Sequence, residues 1–144
     1  MREADERKDE VQVRLYHFAP EHLLENIMKQ GLTDGVLPNF LPSGQVIFHK
    51  PIQWLTSDPG FENQSWATKE LIDYDRTAVR LTVKIPKSSR KQLWGAHEML
   101  PSLPAGSRQL ITDWPGSEDW YLFFGKIPRG WIREVVEKRK EMGN

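Results

Sequence analysis

The chain of 144 residues contains no cysteine. Disulfide frameworks, thiolate metal sites and cysteine nucleophiles are therefore excluded. Long apolar runs are also missing, since the densest one, Trp120 to Phe124, is far too short to cross a bilayer. The charged segment from Met1 to Glu10 has no apolar stretch behind it. We therefore expect no signal peptide and a cytoplasmic location.

The chain also lacks an excess of charge of either sign. Basic and acidic residues number 20 each, so the formal net charge is zero. This balance argues against a surface built as a whole to hold nucleic acid, while leaving room for a local basic patch. A hydrophobic content of 38% is typical of a globular protein of this size. We expect a flexible segment over residues 1–10 and a single domain over residues 11–144.

Several familiar motifs of cofactor binding and catalysis are absent. There is no GxGxxG and no P-loop for a nucleotide phosphate, and no GxSxG elbow for a serine nucleophile. The spacing of the 20 acidic residues selects no pair for hydrolysis. The four histidines have neither HxxxH nor HxH spacing, so we expect no metal site. They are His17, His22, His49 and His97.

The clearest local pattern lies near the start of the chain. Val11 to Phe18 alternates apolar and polar residues, which predicts a strand. Pro20 suits the first turn of a following helix, whose apolar residues recur at helical spacing. Gly31 is placed to end that helix in a left-handed conformation.

The rest of the chain predicts short strands between irregular segments. A long loop over 31–51 is interrupted by a strand at 45–49, and a turn is expected at 57–60. One or two helical turns are expected within 63–72, short helical pieces within 87–117, and a short helix or strand at 132–140. Further strands are predicted at 52–56, 76–85 and 119–125. This order predicts an α+β fold with a mixed or mostly antiparallel sheet, because the strand–helix alternation of a doubly wound fold is missing.

His17 is the histidine with the most informative position. It ends the first strand immediately before the helix, between Tyr16 and Phe18. Strand ends that feed helices often form pocket walls, but such a histidine can also simply hold a loop by bonding a carbonyl. The six tryptophans allow a pocket for a flat ligand as well as an aromatic core.

Three segments carry motifs in a defined order. Leu15 to Leu32 has a Tyr-His pair at the end of a strand and a helix ending in Leu-x-x-Ile-x-x-x-Gly-Leu. Ile52 to Pro59 is a short apolar strand, a small hydroxyl residue and a turn. Ser117 to Ile132 has a glutamate before a strand that ends in Ile-Pro-x-x-x-Ile. Together they resemble the motifs of ADP-ribosyltransferase-like proteins, a superfamily that includes nucleic-acid-modifying ADP-ribosyltransferases and RNA 2′-phosphotransferases.

The resemblance implies a split β-sheet with few helices and NAD as substrate. ADP-ribose would move from NAD to a macromolecular or small-molecule acceptor. His17 would hold ribose hydroxyls, with Tyr16 and Phe18 beside it in the same pocket. Trp54 would stack on the nicotinamide, and Thr56 would supply a hydroxyl group.

The resemblance also assigns the catalytic acid. Glu118 would orient the ribose 2′-hydroxyl and the incoming nucleophile, although its position also suits a solvated turn carboxylate. The chain departs from the family pattern at Ala19, where threonine or serine is usual, and it lacks the tyrosine of the second motif. These departures leave open a catalytically inactive module that holds a protein partner.

A nucleic-acid role is the remaining alternative. An RNA 2′-phosphotransferase needs arginines around its phosphate, and the sequence does not place the available ones on one pocket. They are Arg14, Arg76 and Arg80. Basic residues also cluster at Lys84, Lys87, Arg90 and Lys91 and again over 133–140, although such runs are also typical of solvated faces. A small transferase domain suits a toxin, a resistance enzyme or a phage-type effector.

Overall fold

Eight strands and three α-helices make up the part of the chain that the computed structural model describes, residues 12–64 and 74–141. The segment 1–10, expected to be flexible, and most of the helical turns expected within 63–72 lie outside these residues. In chain order the elements are β1 (Val13–Ala19), α1 (Leu24–Gln30), β2 (Leu37–Phe40), β3 (Val46–His49), β4 (Ile52–Thr56), β5 (Val79–Ile85), β6 (Leu93–Gly95), α2 (Ala105–Thr112), β7 (Trp120–Phe124), β8 (Ile132–Glu137) and α3 (Lys138–Glu141).

The strand and helix expected at the start of the chain are confirmed as β1 and α1. A single 3-10 turn, Glu21–Leu23, connects them, and Ile27 is the buried residue of α1. Gly31 ends α1 with a φ of 83°, a left-handed value that favours glycine. The next residue, Leu32, forms an isolated antiparallel bridge with Ile127, which ties the end of α1 to the chain after β7.

Six strands form one sheet in the order β6-β7-β4-β1-β5-β8, and β2 and β3 form a separate hairpin. Every strand pairing within the described residues is antiparallel. The expected α+β class, with a mostly antiparallel sheet and few helices, is therefore confirmed. At the centre of the sheet, β1 meets β4 at one Cα pair, Tyr16 with Thr56. β1 and β5, in contrast, are paired from Val13 to Ala19.

The strands bury apolar side chains on both faces of the sheet. One face carries Leu15, Leu55, Leu81 and Phe123 and is covered in part by Ile27 of α1. The other face carries a second cluster of apolar residues, which packs against α2. Its members are Leu37, Ile52, Ala96, Leu103, Ile111 and Leu122, with Trp54 and Trp120 partly buried against them.

The sequence analysis missed two strands. β2 lies where a loop was expected, because Pro38 and Asn39 are rare in strands. The hairpin forms because β3 pairs with β2 in register from Leu37–His49 to Phe40–Val46. It is also held to α2, where the Ser107 hydroxyl donates to the Pro38 carbonyl at 2.7 Å. The other missed strand is β6, which is only three residues long and pairs with β7.

Candidate functional site

A cavity of about 410 Å³ lies beside the junction of β1 and β4. The ends of these two strands supply one wall, and Trp120 of β7 continues it. Leu110 and Trp114, from α2 and the turn after it, also line the cavity. The residues selected from the sequence are brought together here with one exception. Tyr16, His17, Phe18, Trp54 and Thr56 all line this cavity.

The His17 ring is held by the backbone of β4. Its Nδ1 lies 2.8 Å from the carbonyl oxygen of Trp54. A carbonyl only accepts hydrogen bonds, so Nδ1 carries a proton and donates it. Burial lowers the pKa of His17 below its ordinary value of 6.5, and the bond to the Trp54 carbonyl opposes this shift in part. The ring is therefore neutral near pH 7, and its Nε2 is a hydrogen-bond acceptor.

Trp54 is fixed by contacts at its ring edge and its ring face. Its Nε1 donates to the carbonyl of Val36 at 2.7 Å. Its ring meets that of Trp120 edge to face, with centroids 5.6 Å apart and planes at 89°. Since both rings line the cavity, they present a preformed aromatic corner to a flat ligand.

Thr56 and Phe18 complete the wall at the strand ends. The Thr56 hydroxyl oxygen accepts a hydrogen bond of 3.1 Å from the backbone N–H of Asp58, which leaves its proton for another acceptor. Phe18 is almost fully buried and packs edge to face on Phe61, with centroids 5.4 Å apart. Thr56 therefore offers a polar contact to a ligand, whereas Phe18 is an apolar part of the wall.

Glu118 is the sequence-selected residue that does not line the cavity. It lies exposed on the 3-10 turn Ser117–Asp119, immediately before β7. The turn itself is anchored, since buried Ser117 is hydrogen-bonded through its hydroxyl to His97 Nε2 at 2.8 Å. The Asp119 carbonyl accepts the backbone N–H of Ser57 at 3.0 Å. Glu118 thus occupies a fixed turn beside the strand that brings Trp120 to the cavity.

Arg76 is a wall residue that the sequence could not place. It is exposed and lines the cavity from the segment before β5. Arg80 lies behind the wall, with its guanidinium 5.7 Å from the centroid of the Tyr16 ring, and donates to the Pro59 carbonyl at 2.7 Å. Arg14 is not among the wall residues; it is paired across strands with Lys84. Two of the three arginines therefore lie at or behind the cavity wall.

Other wall residues were also missed by the sequence analysis, namely Pro38, Leu55, Gln64, Leu110, Trp114 and Trp120. The two tryptophans had a signal, because tryptophan is common in pockets for flat ligands. Pro38 and Leu110 had none, since their place in the wall depends on the hairpin and on α2. No signal marked Leu55 or Gln64 either. Within residues 12–64 and 74–141 the wall includes no carboxylate.

No group of three or more histidine, aspartate or glutamate side chains in the described part of the chain could hold a metal ion. No helix described in residues 12–64 and 74–141 is long and apolar enough to cross a membrane.

Comparisons with protein-family models, with curated proteins and with solved structures found no match. The function is therefore inferred from the residues of the cavity and from the motifs that they carry.

Proposed function

We propose that this chain is an ADP-ribosyltransferase-like protein that binds NAD in the cavity beside His17 and transfers its ADP-ribose to an acceptor. The observation that carries the proposal is His17 itself. Its ring is held by the Trp54 carbonyl inside an aromatic cavity at the junction of β1 and β4. A volume of about 410 Å³ is within the usual range of ligand sites.

The wall offers groups suited to the nicotinamide ribose. The neutral His17 ring accepts a hydrogen bond from a ribose hydroxyl at Nε2, because Nδ1 is already used. Trp54 and Trp120 offer aromatic surface to the nicotinamide ring. The Thr56 hydroxyl proton can be donated to a ribose or amide oxygen. All of these groups are fixed before a ligand binds, which reduces the entropy cost of binding.

The proposed reaction is a substitution at C1′ of the nicotinamide ribose. The bond from C1′ to the nicotinamide nitrogen breaks, and its electron pair leaves with the ring as neutral nicotinamide. A lone pair of the acceptor forms the new bond to C1′, and the acceptor loses a proton to a base. Positive charge develops on the ribose, so a nearby anion lowers the barrier. Glu118 is the residue proposed for this role and for orienting the 2′-hydroxyl.

The exposed position of Glu118 favours a second candidate, a binding module that has no catalytic activity. Glu118 is not in the cavity wall, and the position where the family has a hydroxyl is the buried Ala19. Such a module would retain the cavity but act by holding a protein partner. The two candidates differ in one measurable property, the release of nicotinamide from NAD.

Calorimetry with NAD tests the binding part of the proposal. The parent should bind, and His17→Ala should reduce affinity roughly 10-fold or more, because a buried hydrogen-bond partner of the ligand is lost. His49→Ala is the matched control, since His49 is an exposed histidine of β3 outside this cavity wall. Equal affinity of all three proteins would place the NAD site elsewhere, and absence of binding by the parent would reject the proposal.

Nicotinamide release, followed with a panel of acceptors, tests the catalytic part. Glu118→Gln should lower the rate by roughly 100-fold or more while NAD affinity and the unfolding transition stay unchanged. Glu25→Gln is the matched control, because Glu25 is an exposed carboxylate of α1. A parent that binds NAD yet releases no nicotinamide would support the binding module.

A further inference from the structure

Arg76 brings a positive charge to the cavity wall. Its side chain lines the wall, and within residues 12–64 and 74–141 it makes no hydrogen bond or ion pair. Arg80 differs, because its guanidinium lies 5.1 Å from the centroid of the Phe61 ring and donates to the Pro59 carbonyl. Arg76 is thus the guanidinium that can reach a ligand without first breaking a contact within the described structure.

The backbone that carries Arg76 is held in one conformation. One carboxylate oxygen of Asp75 accepts both the backbone N–H and the hydroxyl of Thr77, each at 2.8 Å. These bonds close a tight turn with Arg76 as its middle residue. The turn is locked to the end of β8 by Lys138, whose Nζ lies 3.0 Å from the other Asp75 oxygen and 3.2 Å from the Thr77 hydroxyl.

The same cluster engages the carboxylate that precedes Arg76 in the chain. Asp75 is the neighbouring carboxylate in the chain, but Lys138 and Thr77 already engage both of its oxygens. Hydrogen bonds from Thr77 and Lys138 and the charge of Lys138 lower the pKa of Asp75 despite its partial burial. Asp75 is consequently an ionised carboxylate that is neutralised by Lys138, and within residues 12–64 and 74–141 it forms no ion pair with Arg76.

We propose that Arg76 recognises a phosphate group of the ligand and so makes this cavity selective for nucleotides over nucleosides. Asp75, Thr77 and Lys138 are positioning residues that present it. The inference rests on the proposed function for the location of the ligand, and it identifies the diphosphate as the part of NAD that Arg76 contacts. A guanidinium suits this task, because it is always charged and donates two parallel hydrogen bonds to phosphate oxygens.

The test compares ligands that carry a diphosphate with related ones that do not. NAD is compared with nicotinamide riboside, and ADP-ribose with adenosine, by calorimetry. We expect the parent to prefer NAD and ADP-ribose, and Arg76→Gln to reduce affinity for them roughly 10- to 100-fold. Affinity for the two phosphate-free ligands should not change. Arg76→Lys should keep part of the preference, and Arg90→Gln, an exposed arginine outside the wall, should keep all of it.

Several outcomes would overturn the inference. These are equal affinity of the parent for both members of each pair, no binding of any of the four ligands, and a preference that survives in Arg76→Gln. The proposed function fails separately: if ADP-ribose binds in an Arg76-dependent way but NAD does not, phosphate recognition stands and NAD is not the substrate.

The positioning role proposed for Asp75 can be measured separately from the role of Arg76. Asp75→Ala removes the bonds that hold the turn, whereas Asp75→Asn keeps an oxygen for the Thr77 N–H. We expect Asp75→Ala to reduce the ratio of NAD affinity to nicotinamide riboside affinity, and Asp75→Asn to restore part of it. A general loss of folding would lower both affinities together, so an unchanged ratio in Asp75→Ala would exclude the positioning role.

Discussion

At the scale of single residues, the state of His17 is decided by its surroundings. The Trp54 carbonyl accepts a hydrogen bond from the Nδ1–H group, and burial disfavours a second proton on the ring. The two effects oppose each other, because the carbonyl also stabilises the protonated ring, and burial is the larger one. One acceptor nitrogen, Nε2, therefore remains for a ligand.

This state predicts a pH-dependent stability. Below pH 6.5 His17 binds a proton more readily in the unfolded chain than in the folded chain, because its pKa is lower in the folded chain. The free energy of unfolding should thus be fully maintained above pH 6.5 and fall as the pH drops below it, by at most about 1.4 kcal/mol per pH unit from this residue. Urea unfolding at pH 7.5 and pH 5 measures the loss, which should be smaller in His17→Gln than in the parent.

The pH range and a control variant make this comparison specific to His17. The lowered pKa of Asp75 contributes stability that is present above pH 3.8 and lost as the pH falls through its folded pKa, which is outside the range used. His49→Gln, at an exposed histidine, serves as the control and should lose as much stability as the parent. If His17→Gln also loses as much as the parent, the neutral state of His17 in the folded chain is wrong.

At the scale of elements, the end of α1 is tied to the segment that follows β7. Gly31 turns the chain so that Leu32 can pair with Ile127 after β7. This bridge links residues that are almost a hundred positions apart in the sequence, and the pairing of β4 with β7 joins residues 64 to 72 positions apart. The conformation of one glycine therefore helps to hold the β1–α1 unit against the rest of the domain.

Substitution of this glycine tests that role. In Gly31→Ala the new Cβ would meet the backbone of Ile127 and Arg129, and the φ of 83° adds strain. We expect the free energy of unfolding to fall by about 1–3 kcal/mol or more. Gly130→Ala is the matched control, because nothing lies within 4 Å of its added Cβ, and it should change stability by less than about 0.5 kcal/mol. Equal effects of the two substitutions would contradict the role given to Gly31.

At the scale of the whole molecule, the sheet has two parts, β6-β7-β4 and β1-β5-β8, which meet where β4 lies beside β1. The central question is whether these two parts unfold together. β1 and β4 share one Cα pair, so backbone pairing links the parts only weakly. Side chains from both parts nevertheless meet in one apolar cluster, where Leu15 and Leu81 join Leu55 and Phe123. Because that cluster crosses the junction, we expect one cooperative unit.

Two core substitutions measure this cooperativity. Leu81→Ala on one face of the sheet and Leu122→Ala on the other should each lower the free energy of unfolding by about 2–5 kcal/mol. Unfolding should remain a single transition when tryptophan fluorescence and far-ultraviolet circular dichroism are compared. Leu23→Ala, at a side chain that is 43% exposed, is the control and should have little effect. Two separate transitions would mean that the parts fold independently.

The sequence by itself determined the elements whose pattern is local. Alternation over 11–18 and helical spacing before Gly31 predicted β1 and α1, and the lack of strand–helix alternation predicted the α+β class. These patterns can be read from the chain because side-chain direction follows the period of a helix or strand. The resemblance of short motifs to those of ADP-ribosyltransferase-like proteins, and not periodicity, selected Tyr16, His17, Phe18, Trp54 and Thr56 as possible members of one pocket.

The tertiary structure decided what depends on distant parts of the chain. β2 contains Pro38 and Asn39 and becomes a strand only when β3 pairs with it and α2 packs against it. Arg76 lines the cavity from a turn that is bonded to Lys138, more than 60 residues later, while Glu118 stays outside the wall on its own anchored turn. Contacts between residues far apart in sequence leave no periodic pattern, because they arise from packing and strand register.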